Sequence, residues 1–153
     1  MKSQNAPDSY PLWVAMTRAH YFMRKLREKE LKKIGLSVRQ STVLAILHRA
    51  RNLGIDATPV EIAKQLLRAP STATELIDRM VIKGMVRKVQ DLERKNMVRV
   101  EMTELGQELY DKSIKVDYFS IIFSKLTPRR RQSMISYLDK LADAANDVVY
   151  KRS

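Results

Sequence analysis

Apolar residues along this chain recur mostly at intervals of three and four, the spacing that gathers them on one face of an α-helix. Leu12, Met16, Ala19, Met23 and Leu26 make such a stripe in a helix expected over residues 9–34, and Gly35 stops it where a positive φ costs little. Ser37 and Gln40 stand at capping-box spacing before a second helix whose apolar face is Val43, Leu44 and Leu47. Asn52 and Gly54 mark 49–57 as a loop, with room for a short bridging strand at 53–57. Thr58-Pro59-Val60-Glu61 then combines a Thr cap, Pro at the first helical position and Glu at the third, a strong start signal. Ile62, Ala63, Leu66 and Leu67 are the inward residues expected of this helix, which ends near 67 or 68. Pro70 restarts the chain, and Ala73, Leu76, Ile77 and Met80 form the next stripe. The short connection has the length found between the two helices of a helix-turn-helix.

After Gly84 the period falls from 3.6 to 2. Val86 and Val89 begin a strand near 86–90, and Val98, Val100 and Met102 alternate with Arg99 and Glu101 in a clearer one, the signature of a two-stranded ribbon. Its tip, 91–97, is polar and basic. Thr103 caps a long helix expected over 104–125, and Thr127-Pro128 opens the last one. There Met134, Leu138, Leu141, Ala145 and Val148 repeat as a narrow seam of coiled-coil type. The predicted fold is mainly α: a winged helix-turn-helix over 35–103 with a two-stranded β-wing, and a helical dimerisation region from 9–34 and 104–153, behind a flexible tail at 1–8. The terminal seam and the 12–26 stripe are long apolar surfaces that one small domain struggles to cover, so a homodimer is expected.

Charge sharpens the picture. The 153 residues hold 29 Lys and Arg against 17 Asp and Glu, a formal charge of +12, which attracts polyanions. Residues 64–99 carry nine basic and four acidic side chains, whereas 104–150 carry seven of each, so the excess lies in the winged segment and the first helix. There is no cysteine, which excludes disulfides, thiolate nucleophiles and zinc–cysteine sites. No run of 18 apolar residues suggests a membrane span, and the first residues lack the apolar core of a signal peptide. A soluble, cytoplasmic protein with no membrane partner is expected.

A helix that reads DNA must show short polar and base-reading groups on one face while the other packs on its scaffold. Residues 70–83 meet that need, leaving Pro70, Ser71, Thr72, Thr74, Glu75, Asp78 and Arg79 outside. Ser71, Thr72 and Thr74 can bond phosphates or bases, and Glu75 can accept from cytosine N4; Arg79 and Lys83 suit phosphates. Arg94 and Lys95 at the ribbon tip suit a narrow, electronegative minor groove. The expected partner is double-stranded DNA. No Gly-rich phosphate loop, nucleophile elbow or paired acid–base signature points to an enzyme. His20 and His48 are the only histidines and lack ligand spacing, so no metal or cofactor is expected. A winged module that binds protein instead of DNA is the competing reading; the basic bias of 64–99 argues against it.

Four segments in this order resemble the MarR family of bacterial winged-helix regulators: GLSVRQSTVLAIL at 35–47, TPVEIAKQLL at 58–67, STATELIDRMVIKGMVRK at 71–88 and VRVEMTELG at 98–106. The resemblance implies a homodimer on a palindromic operator, usually a repressor relieved by a small ligand. It places the 71–83 helix in the major groove and the 91–97 tip in the minor groove. It also implies an effector pocket between the dimer helices and the winged part, making Trp13 and His20 candidate ligand contacts, although aromatics at helical spacing serve dimer packing more often. Two positions depart from the family. Glu75 stands where a basic residue is common, and the usual Asp-Arg-Arg of the wing is replaced by Arg94, Lys95 and Asn96, or by Glu93, Arg94 and Lys95 after a one-residue shift.

Overall fold

A computed structural model describes residues 9–90, 97–115 and 117–150. The tail 1–8 and the ribbon tip 91–96, with Arg94 and Lys95, lie outside the described residues. The elements run α1 (Ser9–Lys33), α2 (Val38–Leu53), α3 (Pro59–Leu66), α4 (Pro70–Ile82), β1 (Val86–Gln90), β2 (Val98–Met102), α5 (Glu104–Ile114), α6 (Asp117–Phe123) and α7 (Pro128–Tyr150). They fall into two units, one through Lys115 and one from Val116 onward.

The first unit carries the core. Both halves of the capping box form at α2: Ser37 Oγ accepts from the Gln40 amide at 3.2 Å, and Gln40 Oε1 accepts from the Ser37 amide at 2.9 Å. Val43, Leu44 and Leu47 are buried as the stripe requires, joined by Ile62, Ile77, Met80, Val86 and Val100 from the following elements. α2 continues through the expected loop to Leu53. Ala50 is buried and extends the inward face, and the true stop is Gly54, whose φ of 64° closes the last turn. The bridging strand expected at 53–57 shrinks to one bond, from the Val100 amide to the Ala57 carbonyl at 2.8 Å.

α1, α2 and α4 each end on a glycine of positive φ, at Gly35, Gly54 and Gly84, with the paired carbonyl bonds of a Schellman turn. α3 ends in the same way, but its left-handed residue is Leu67, at φ 52°. That corrects the expected inward Leu67: the turn that ends α3 throws the side chain out, and it is 78% exposed. Ile62 and Ala63 are buried as predicted, and Leu66 is partly so.

β1 and β2 pair antiparallel, with Val86 opposite Met102 and Gln90 opposite Val98. Thr103 ties three segments together. Its hydroxyl accepts from the Gly106 amide at 3.1 Å, capping α5, and donates toward the carbonyls of Gly84 and Met85. Gly106 is buried, and a Cβ there would lie 2.1 Å from the Met85 carbonyl oxygen, so the position requires glycine. The single helix expected over 104–125 is in fact two, α5 and α6. The Arg27 guanidinium donates to the Ser113 carbonyl, which a continuous helix would have given to the amide four residues on. Lys115 accordingly leaves helical geometry, at ψ 55°.

In the second unit, Arg130 donates its amide to Thr127 Oγ1 at 3.3 Å as α7 begins. The seam residues Met134, Leu138, Leu141 and Val148 lie on this helix and are all exposed, and α7 has no buried residue.

Candidate nucleic-acid interface

α3 and α4 build a presented surface from their local chemistry. Thr58 caps α3, its Oγ1 accepting from the Glu61 amide at 3.2 Å, and Ile62 fixes the helix to the core. The turn at Leu67 redirects the chain so that α4 begins three residues later at Pro70. α4 buries Ala73, Leu76, Ile77 and Met80, so its other side must face out. Pro70, Ser71, Thr72, Glu75, Arg79 and Lys83 are exposed, and Thr74 is half-buried. Ala69, at the N-cap of α4, has no side-chain acceptor, and Pro70 removes one of the amide donors that a cap would serve.

The outward carboxylates have different attachments. Glu75 pairs with Arg79 one turn on, at 3.5 Å. Asp78 instead meets Lys88 of β1, which braces α4 against the ribbon. At the ribbon's root, Arg87 pairs across the strands with Glu101 at 2.8 Å. Arg99 lies 3.1 Å from the same carboxylate and 3.7 Å from Asp56; its buried Nε is held there by charge rather than by hydrogen-bond geometry. The basic excess read from the sequence is therefore partly spent inside the fold. Arg68 and Lys83 are exposed cations of this segment with no carboxylate partner among the described residues.

Residues 36–99 match the model of the MarR family. The match covers less than half of the chain. The fold around it agrees. The organohalide-sensing transcriptional regulator RdhR in its 2,4-dichlorophenol-bound form is 22% identical, with a TM-score of 0.72 over 99% of this chain and 93% of that one. A Cys-to-Ser mutant of MarR from E. coli complexed with operator DNA is 23% identical, with a TM-score of 0.72 over 86% of this chain and 93% of that one. MepR from S. aureus in complex with DNA is 20% identical, with a TM-score of 0.71 over 86% and 94%. A search of curated protein sequences returned no match.

The matched segment spans α2, α3, α4, β1 and part of β2, and its α4 brings Ser71, Thr72, Glu75 and Arg79 onto one exposed face. Trp13 and His20 sit apart from it on α1 and are both exposed, Trp13 by 66%. Neither lines the cleft of about 690 Å³ at the root of the wing, which is bounded by Arg51, Asp56, Arg99, Glu101 and Glu104 among others. Contacts that join distant residues escaped sequence reasoning, among them the Asp78–Lys88 brace and the stacking of His48 on Tyr110, with ring centroids 4.3 Å apart. The alternation of Arg99 with Val98 and Val100 did place it on the ribbon, but no sequence signal assigned Asp56 to it. No described helix is long and apolar enough to cross a membrane.

Proposed function

We propose that this chain is a sequence-specific DNA-binding transcriptional regulator that acts as a homodimer on a palindromic operator, as a ligand-responsive repressor in the cytoplasm and not as an enzyme. The observation that carries the reading is the two-sidedness of α4: four apolar side chains are buried behind it, while Ser71, Thr72, Glu75 and Arg79 stand exposed in front. In this arrangement α4 enters the major groove and the 91–97 tip, with Arg94 and Lys95, reaches the adjacent minor groove. Pro70, Ser71, Thr72 and Thr74 contact phosphates and base edges near the helix start, and Arg79 and Lys83 neutralise phosphates. Neighbours solved with operator DNA and with a bound chlorophenol support a DNA-binding, ligand-responsive reading; in this proposal the effector contacts Trp13 and His20. α1 together with 104–153 supplies the dimer contacts, and a two-fold axis sets the recognition helices roughly 34 Å apart.

The test is a gel shift with fragments of the genome upstream of the gene itself. Binding at low salt is expected, with log affinity falling against log salt at roughly −0.9 per neutralised phosphate. Replacing Arg94 and Lys95 with Ala should flatten that slope and weaken all fragments alike. A folded dimer that shifts no fragment at low salt would favour a winged module that binds protein.

A further inference from the structure

We infer that Glu75 makes this protein select cytosine at one fixed position in each operator half-site. The inference rests on α4 entering the major groove as proposed above. At about 100° per residue, Glu75 lies within roughly 30° of the direction opposite the buried side chains Ala73, Leu76, Ile77 and Met80. It therefore stands near the crest of the presented face, where a groove-seated helix meets base edges, while Thr72, Arg79 and Lys83 lie roughly 40–80° round from it on one side, nearer one phosphate wall. Its side chain is 70% exposed.

A carboxylate brought toward a polyanion is repelled by every phosphate, so it must meet a donor there to be tolerated. In the major groove, cytosine N4 is a donor with no acceptor on the same base edge, whereas the adenine N6 donor stands beside the acceptor N7, which opposes a carboxylate and suits an amide. The nearby charges favour the same outcome. Asp78 is engaged by Lys88 and stays with the ribbon. Among the described residues, Glu75 is paired only within its own helix, 3.5 Å from an Arg79 that is itself largely exposed. An exposed pair of this kind is weak and gives way to a better partner. Until it does, Arg79 enters the groove alongside Glu75 and offsets the repulsion.

The test is selection of bound duplexes from a random pool by the full-length wild-type protein, E75Q and E75A, followed by sequencing. The wild type should enrich a two-fold symmetric site with cytosine at one position per half, preferred roughly tenfold over other bases. E75Q should keep the rest of the site and change that position to adenine. E75A should flatten it while leaving the other positions intact. Unchanged sites for both variants, or a uniform rise in affinity with no change of preference, would show Glu75 to be a bystander carboxylate and overturn the inference. A wild type that enriches a site without that cytosine overturns it equally. If the wild type enriches no sequence at all, the DNA-binding reading itself fails first.

Discussion

α4 and α7 have the same kind of sequence pattern and opposite fates. Both repeat apolar residues every three or four positions, and both begin with Pro at the first turn. α4 buries its four stripe residues within its own unit, while the 23 residues of α7 include no buried one. Leu138 and Leu141 stay 41% and 42% exposed. Periodicity thus fixes which face of a helix is apolar but not what covers it. In α4 the cover is the rest of the winged unit. The bare seam of α7, like the exposed Leu12 and Trp13 of α1, is the surface that the proposed dimer would close.

The comparison can be broken by truncating the two helices in parallel. Ile77→Ala removes a fully buried side chain and should cost about 4 kcal/mol of stability, seen as a large drop in the denaturant midpoint at any protein concentration. Leu138→Ala with Leu141→Ala should instead leave a folded protein whose melting temperature and sedimentation depend on concentration, because the lost contacts belong to association. Equal, concentration-independent losses from both would place the α7 seam inside the monomer's own core.

Gly106→Ala probes the join between the wing and α5. The added methyl would meet the Met85 carbonyl at 2.1 Å, and displacing that backbone should cost about 3 kcal/mol in chemical unfolding. A variant as stable as the wild type would mean that the two segments sit further apart than described. The smallest expected effect has the opposite sign. Leu67→Gly relieves a left-handed leucine that is largely exposed, and should stabilise the protein by about 1 kcal/mol. Thermal melting reads it directly, and a loss of stability would show that the Leu67 side chain holds the turn by contacts of its own.

The winged architecture was legible where a local rule acts alone. The capping box of Ser37 and Gln40, the Thr58 and Thr103 caps, the strands 86–90 and 98–102 and the inner face of α4 follow from neighbours along the chain, and all are found. The misreadings occur where distant groups compete with local preference. Nothing near Leu67 announces a left-handed turn, because the signal that normally marks one is glycine. Nothing near Ser113 announces a helix break, because the group that takes its carbonyl is Arg27, 86 positions away. The candidate interface was read in the same uneven way. Which residues α4 presents follows from helical geometry, but Asp78 read as a free surface acid until folding brought Lys88 to it.

By itself, then, the sequence determined the order and type of the elements from α1 to the start of α5, the caps that start them and the sidedness of α4, since each depends on groups within a turn or two of one another. Tertiary structure alone decided which charges remain outward, where α5 ends and which apolar stripes are covered, because ion pairs, carbonyl capture and burial depend on distances in space that chain position does not encode.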